Sequence, residues 1–234
     1  MATIDQLHQA ANTRTRSEWF EGNIVKTDAA GVGTYQSGGE TVLVSAGTNI
    51  VMDNNELAAQ LVNSVTRSVD GPDSDVTGND RGNYIVGNNG ANKIDAADGD
   101  DQVVTGDGDD EVDGGAGDDT IIADGTGTKI FTGGEGNDTF LVKAFGSESK
   151  TTITDLETGD KLRWDADANG DGVVNLDDVD KTFEADGNTT LVLVDGTKMV
   201  LEGVTGLFAG GYDFKFGVED DDAFVDITHH VDDV

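Results

Sequence analysis

The chain has 234 residues and a net charge of −33, with 47 acidic and 14 basic side chains. A chain this acidic repels nucleic-acid phosphates and anionic lipid head groups, which excludes nucleic acid as a partner. It has no cysteine, which excludes disulfide frameworks and thiolate metal sites. No apolar run is long enough for a membrane-spanning segment, and the N-terminal stretch lacks the apolar core of a secretory signal peptide.

Residues 1–70 are predicted to form a small N-terminal unit of strands and one helix. The stretch ETVLVSAGTNIVMD, which begins at Glu40, is typical of two strands around Ala46-Gly47. A helix is predicted after it, with Asn54 or Asn55 as the N-cap. One face of that helix would carry Leu57, Leu61, Val62 and Val65.

Residues 71–142 are dominated by a nine-residue repeat. Two copies read GGAGDDTII from Gly114 and GGEGNDTFL from Gly133, and looser copies precede them. An aliphatic residue recurs every nine positions, at Val76, Ile85, Ile94, Val103, Val112, Ile121 and Ile130, and then Phe140 follows after one extra residue. We therefore predict short stacked strands, each placing one side chain in a shared core.

Each repeat joins a glycine-rich turn that ends in a polar residue to one short strand. Two repeats make one full turn of 18 residues, so alternate loops stack on the same edge. One row would contain the loops that end at Asn83, Asp101, Asp119 and Asp138, and the other those that end at Asn92, Asp110 and Thr128. Carboxylate and carbonyl oxygens are the ligands that calcium prefers. The predicted fold is all-β, with a parallel β-roll of three to four turns that binds several calcium ions.

Residues 143–234 are predicted to form a β-rich C-terminal cap. The segment TTITDLETGDKLRW indicates two strands joined by a turn at Thr158-Gly159-Asp160. The segment NTTLVLVDGTKMVLEGV indicates a hairpin that turns at Asp195-Gly196. An acidic insertion, DADANGDGVVNLDD, separates the two segments.

The repeat resembles the hemolysin-type calcium-binding repeat of RTX proteins, whose consensus is GGxGxDxUx with an apolar residue at U. In that family each ion lies between two loops that are one full turn apart. The resemblance implies four pairs of ligands: Asn83 with Asp101, Asp101 with Asp119, Asp119 with Asp138, and Asn92 with Asp110. It also implies that the loop glycines Gly115, Gly117, Gly134 and Gly136 contribute to the sites.

Several units depart from that consensus. The unit that begins at Ala123 has Thr126 in place of a glycine and Thr128 in place of the aspartate, so we expect the Asp110–Thr128 site to be weak or missing. The asparagines at the ends of the upstream loops keep an oxygen but lack a charge, so we expect weaker sites there. Thr132 is interpreted as an inserted residue that bulges the last strand.

A second motif in the acidic insertion resembles the calcium loop of EF-hand proteins. Its ligand positions 1, 3, 5, 7, 9 and 12 are occupied by Asp167, Asn169, Asp171, Val173, Asn175 and Asp178, and Gly172 supplies the sharp turn. The last ligand is an aspartate rather than a glutamate, as in dockerin loops, so we expect a lower affinity. An Asx-rich surface turn without metal is the alternative interpretation.

The C-terminal segment resembles the one that closes the repeat in many RTX proteins. The resemblance implies export from a Gram-negative cell through a type I channel, with an uncleaved signal near the acidic end FVDITHHVDDV. His229 and His230 are interpreted as part of a solvated tail rather than a metal site.

The sequence contains no GxSxG, no HExxH and no glycine-rich phosphate loop with its lysine. We therefore predict a non-enzymatic, secreted protein that acts as an extracellular matrix, surface-layer or adhesion component. It would associate with itself or with a cell-surface partner. The alternatives are a secreted effector or pore former, a secreted hydrolase with its site in residues 1–70, and a phage or particle surface protein.

Overall fold

The structure is a computed structural model. It describes residues 73, 75–143, 145–164, 167–171, 173–207, 212–219 and 222–229, together with five backbone strands between residues 24 and 61. In the strands before residue 62 and after residue 211, side chains are described only for Ile227.

In these residues the fold consists of short strands and one turn of 3-10 helix, at Leu176–Asp178. The first ten strands are β1 (Ile24–Thr27), β2 (Gly33–Ser37), β3 (Glu40–Ser45), β4 (Ile50–Val51), β5 (Glu56–Leu61), β6 (Val76–Thr77), β7 (Tyr84–Val86), β8 (Lys93–Asp95), β9 (Gln102–Val104) and β10 (Asp110–Ala116). The others are β11 (Thr120–Ala123), β12 (Gly127–Glu135), β13 (Thr139–Val142), β14 (Ser149–Ile153), β15 (Lys161–Trp164), β16 (Val179–Ala185), β17 (Asn188–Leu193), β18 (Lys198–Leu201), β19 (Tyr212–Glu219) and β20 (Asp222–His229).

The strands form two sheets between which the chain alternates, as a parallel β-roll requires. Sheet A has the order β1-β2-β3-β5-β7-β9-β11-β13-β15-β20-β19, and sheet B has the order β16-β17-β18-β14-β12-β10-β8-β6-β4. The pairs from β3 to β15 in sheet A, and from β4 to β18 in sheet B, are parallel. Antiparallel strands β1–β2, β16–β17 and β19–β20 lie at the outer ends.

The register of the parallel pairs confirms the turn of 18 residues. Ile85 is aligned with Val103, and Val103 with Ile121. The core consists of two ladders of side chains that are at most 1% exposed, Ile85, Val103, Ile121, Phe140, Leu162 and Ile227 in sheet A, and Val76, Ile94, Val112, Phe131, Ile153 and Leu201 in sheet B. All twelve belong to one hydrophobic cluster, so each turn buries its apolar residue only against its neighbours.

The roll is longer than predicted and its sheets cross both predicted unit boundaries. It makes about five turns over the repeat region, rather than three to four. Upstream, β3 and β5 extend sheet A, and downstream, β14 and β15 pair in parallel with β12 and β13. The unit boundaries at residues 70 and 142 therefore remain a prediction, which rests on the change in sequence composition there. The predicted hairpin at Asp195-Gly196 is confirmed, because β17 and β18 pair in antiparallel register.

The helix predicted after residue 54 is wrong where the structure describes the chain. Glu56–Leu61 is strand β5, which pairs in parallel with β3 on one side and with β7 on the other. Two neighbouring strands satisfy its backbone groups, and this tertiary pairing overrides a helical pattern of apolar residues. The proposed N-cap and the remainder of the predicted helix, residues 62–70, lie outside the described residues.

The predicted register of strand β12 is also wrong. Val112 is aligned with Phe131, 19 residues on, so Phe131 is the buried member of the ladder and Ile130 is 43% exposed. The extra residue lies in the turn before β12, because Thr105 bonds to the carbonyl of Ile122 whereas Gly108 bonds to that of Thr126. Thr132 is paired in register with Asp113 and is not a bulge.

Candidate metal centre

The loops that lead from sheet B to sheet A form one edge of the roll, which we call the Asp119 edge (loops 78–83, 96–101, 114–119 and 133–138). The last residue of each loop donates a hydrogen bond across the stack, from its backbone N–H to the carboxylate Oδ1 at the end of the next loop. The N–H of Asn83 donates to Asp101 at 2.6 Å, that of Asp101 to Asp119 at 2.8 Å, and that of Asp119 to Asp138 at 2.9 Å. The structure thus brings together three of the four predicted pairs here.

Among the described residues, the second oxygen of each aspartate that ends one of these loops is buried without a hydrogen-bond partner. The atoms are Oδ2 of Asp101, Asp119 and Asp138, whose residues are 1–3% exposed. Burial is the largest cause that raises the pKa of these carboxyl groups, the adjacent carboxylates also raise it, and hydrogen bonds from backbone N–H groups lower it. The resulting pKa is about 8 for Asp101, about 7 for Asp119 and about 6 for Asp138. An ionised carboxylate in such a place needs a cation.

The backbone around these carboxylates suits a cation with many oxygen ligands. Gly115 and Gly117 have φ values of 103° and 140°, and Gly134 and Gly136 repeat them at 103° and 145°. A Cβ at Gly115 would collide with the carbonyl of Ala97, which shows how closely the loops stack. Calcium takes six to eight oxygens, and carboxylates with loop carbonyls form such a set. The residues therefore fit calcium, which Asp101, Asp119 and Asp138 would hold.

The two upstream loops are closed by amides instead. Asn83 Nδ2 donates to Asn79 Oδ1 at 3.1 Å, and Asn92 Nδ2 donates to Asn88 Oδ1 at 3.2 Å. The N–H groups of Asn79 and Asn88 in turn donate to Oδ1 of Asn83 and Asn92, both at 3.0 Å. An N–H thus lies where the later loops have an unpartnered carboxylate oxygen, which agrees with the weaker upstream sites expected from the missing charge.

The opposite edge, which we call the Asp110 edge (loops 87–92, 105–110 and 124–129), is built differently. The N–H of Asn92 donates to Asp110 Oδ1 at 2.9 Å, so the fourth predicted pair is brought together. In the next turn, however, the residue in register with Asp110 is Lys129, not Thr128. Lys129 Nζ lies 2.8 Å from Asp110 Oδ2 and forms an ion pair with it. The ammonium is therefore the partner of this oxygen, although their geometry is not that of a hydrogen bond.

The Asp110 position therefore does not fit calcium as the structure has it. The sequence led us to expect a weak or missing Asp110–Thr128 site. In the structure Thr128 is exposed, its N–H donates to Asp109 Oδ1, and Lys129 lies opposite Asp110 instead. Burial raises the pKa of Asp110 to about 6, and the nearby Lys129 ammonium opposes that rise.

The profile of one known family, the RTX calcium-binding nonapeptide repeat, matches residues 77–112, 98–127 and 105–140. The chain carries RTX calcium-binding repeats. No curated protein matches the chain. The matched segments contain the loop-ending residues of both edges, from Asn83 to Asp138. The carboxylates of Asp101, Asp119 and Asp138 therefore lie within the RTX repeats.

The acidic insertion lies outside the RTX repeats and forms a closed loop. Asp178, which is fully buried, accepts hydrogen bonds from the N–H groups of Asn169 and Asn175 at 3.1 and 2.8 Å. Asp167 Oδ1 accepts from the N–H of Asp171 at 3.0 Å. The predicted turn residue Gly172 lies outside the described residues, and Val173 is exposed. Calcium binding by this loop stays a prediction.

Across the described part of the chain, no three His, Cys, Asp or Glu side chains converge into a ready-made metal cluster. The ligand pairs that the RTX resemblance implies need no such cluster, because each pair takes one polar side chain from each of two loops.

Sequence reasoning missed three side chains that the structure adds to the RTX edges. Asp160 continues the Asp119 edge, since it accepts from the N–H of Asp138 at 2.8 Å, and burial raises its pKa. Asp155 accepts from Gly133 and Gly134, both at 2.9 Å. A 22-residue spacing, rather than 18, hid Asp160 from a search for the repeat. Lys129 was missed because the predicted register was one residue out.

Proposed function

We propose that this protein is secreted and folds when it meets calcium outside the cell, where it acts as a non-enzymatic component of an extracellular matrix, surface layer or adhesive surface. The observation that carries the proposal is the row of buried, unpartnered carboxylate oxygens at Asp101, Asp119 and Asp138. Three such groups along one edge make the roll unfavourable unless positive charge is supplied.

Folding and calcium binding are coupled because the edge exists only in the folded roll. In the unfolded chain the carboxylates are hydrated and far apart, whereas in the roll Asp119 lies between Asp101 and Asp138. Calcium, when bound, supplies the charge that offsets this repulsion, and its binding free energy becomes folding free energy. Low calcium inside a cell would keep the chain unfolded for export, and millimolar calcium outside would favour the roll.

RTX repeats are typical of proteins that leave the cell by type I secretion. We propose that the signal lies in the C-terminal segment, as the sequence predicted. Among the helices in the described residues, none is long and apolar enough to cross a membrane.

The matrix, surface-layer or adhesion role is the finer part of the proposal. What supports it is that the described chain is almost wholly devoted to the roll and its antiparallel ends, and that the sequence has none of the catalytic motifs sought. Self-association would proceed through the outermost antiparallel strands, β1, β16 and β19, because among the described strands each has one neighbour in its sheet.

The test is a calcium titration of the intact chain, from chelator to millimolar, followed by far-ultraviolet circular dichroism and light scattering. We expect a transition from coil to β-structure, and growth in particle size if the protein assembles. The variant Asp119→Asn should shift the midpoint to about tenfold higher calcium. The matched variant Asp95→Asn, which neutralises an exposed aspartate on β8, should leave the midpoint unchanged.

Each outcome bears on a different part of the proposal. A fully folded roll in chelator, with no response to calcium, would contradict calcium-coupled folding. A calcium transition with a monomeric product at every concentration would contradict self-assembly while leaving the coupling intact.

A further inference from the structure

We infer that calcium binding by the roll is confined to the Asp119 edge, and that Lys129 serves as a built-in cation that closes the Asp110 edge without metal. The inference rests on the proposed function, since it concerns which positions of the calcium-binding roll take an ion. It makes Lys129 the residue that determines where calcium does not bind.

The ammonium of Lys129 occupies a cage of oxygens from two successive loops. Nζ donates to the carbonyl of Gly108 at 2.6 Å and to that of Thr126 at 3.0 Å, and it lies 2.8 Å from Asp110 Oδ2. Two loop carbonyls and one carboxylate are the kinds of ligand that an RTX-type calcium ion would use. Lys129 is 1% exposed, so its charge is met by these groups rather than by water.

The local backbone explains how a lysine comes to lie there. The extra residue in the turn before β12 moves the register from 18 to 19, which places Lys129, rather than Thr128, opposite Asp110. Thr126 is fixed in this turn by Asp107, whose Oδ1 accepts from its N–H at 2.8 Å. The same insertion that removes the consensus aspartate therefore brings in a cation.

In the described residues, the Asp110 edge gives calcium no buried carboxylate oxygen that lacks both a hydrogen bond and an ion pair. Asp110 is the buried carboxylate in the described loops of this edge, and both of its oxygens are met, Oδ1 by the N–H of Asn92 and Oδ2 by Lys129. The preceding loop is closed by a side-chain hydrogen bond, in which Asn92 Nδ2 donates to Asn88 Oδ1. On the Asp119 edge, in contrast, three Oδ2 atoms have no partner.

A divalent ion and the ammonium would also exclude each other, because both would need the same oxygens and their charges repel within a poorly solvated space. The two edges would therefore have different roles in folding. The Asp110 edge can form as soon as the chain folds back on itself, and it gives the roll one preformed side before calcium binds the other.

The test counts calcium ions bound by the intact chain, using equilibrium dialysis against radioactive calcium at saturating concentration. Wild type is compared with Asp119→Asn and with the double variant Asp110→Asn/Lys129→Met. The double variant removes both members of the buried pair together, so no buried charge is left alone and the roll should still fold. We expect Asp119→Asn to lose at least one ion or to weaken it by tenfold or more, and the double variant to bind as many ions as wild type.

A gain of binding provides the second measurement. Lys129→Asp places a carboxylate in register with Asp110, as Asp138 is with Asp119, and should add one ion to the count. The exchange Lys93→Asp removes an exposed lysine of the same sheet and serves as the matched control, with no added ion expected.

Two results would overturn the inference. Loss of an ion in the double variant would show that calcium already occupies the Asp110 edge. An unchanged count in Lys129→Asp with the roll folded would show that Lys129 is not what keeps calcium from this edge. These differ from failure of the proposed function, in which the wild-type chain would bind no calcium at all, and which would overturn both.

Discussion

The Asp119 edge and the Asp110 edge are made by the same nine-residue repeat, on opposite sides of one core. They differ in how the negative charge of their buried carboxylates is compensated. On the first, three buried aspartates have an oxygen without a partner. On the second, the buried aspartate pairs with Lys129. The comparison teaches that the repeat specifies the stack, whereas individual residues within it decide whether a turn requires an ion.

A similar contrast runs along the chain within the Asp119 edge. The loop ending at Asn83 is closed by reciprocal hydrogen bonds with Asn79, while the loops ending at Asp101 and Asp119 are not closed in this way. Calcium dependence should therefore increase from the first turns of the repeat toward the later ones. The N-terminal turns would provide a template on which the calcium-dependent turns assemble.

The largest expected effect comes from breaking the core that both edges share. Phe131→Ala removes a fully buried ring from the sheet B ladder and should lower the free energy of unfolding by about 3–5 kcal/mol in calcium. The neighbouring Ile130→Ala, at a side chain 43% exposed, should change it by less than about 1 kcal/mol. Chemical denaturation at saturating calcium measures both. Equal losses would contradict the 19-residue register.

A smaller effect, restricted to one edge, is expected from Lys129→Met. This change leaves the buried Asp110 carboxylate without its cation, and breaking such a pair costs about 3 kcal/mol. Because the chain is expected to be unfolded in chelator, denaturation at the lowest calcium concentration that keeps wild type folded should reveal that loss. Higher calcium should restore part of it by neutralising Asp110. Lys93→Met, at an exposed ion pair with Glu111, should cost less than about 1 kcal/mol. A Lys129→Met protein as stable as wild type at that low calcium concentration would show that the pair contributes nothing.

The sequence was sufficient to predict the repeating half of this picture. The spacing of Ile85, Val103 and Ile121 predicts the ladder, and the glycine-rich turns predict the stacked edges, because periodicity and turn chemistry are local properties. The register at Phe131 was not predictable in the same way. The chain offers apolar residues at both 130 and 131, and only the pairing of whole strands decides which one is buried.

The parts that were missed depend on contacts distant in sequence. Strand β5 exists because β3 and β7 flank it, and Asp160 joins the Asp119 edge through a 22-residue step that no repeat search would include. Lys129 was hidden for a related reason. A lysine in an acidic repeat is normally solvated, and its burial follows from one extra residue in the preceding turn.

Acidity should affect the Asp119 edge through its raised pKa values. Burial raises the pKa of Asp101 to about 8, of Asp119 to about 7 and of Asp138 to about 6, above the usual value near 3.9. The folded, calcium-free roll then binds more protons than the unfolded chain. The stability it derives from them is complete below about pH 4 and is lost as the pH rises through 6 to 8.

The expected result is that chelated protein contains more β-structure at pH 5 than at pH 8.5, as measured by circular dichroism. Protons also compete with calcium, so the calcium midpoint should be about tenfold higher at pH 6 than at pH 8 if one carboxylate of pKa near 7 must ionise. A midpoint independent of pH over this range would count against the buried row as the calcium site.

The smallest effect should be a gain, and it concerns loop 96–101 of the Asp119 edge. Ala97 occupies the second loop position, where the later loops have glycine, and its φ of 78° lies in the left-handed region that a side chain disfavours. Ala97→Gly should relieve about 1 kcal/mol of backbone strain and lower the calcium midpoint of the edge. Ala116→Gly, at a strand residue without positive φ, should act in the opposite direction, because glycine there only adds freedom to the unfolded chain. If the calcium midpoint falls in Ala97→Gly and rises in Ala116→Gly, the gain comes from the loop backbone. If it moves in the same direction in both variants, Ala97 is not strained and charge alone limits calcium binding by the loop.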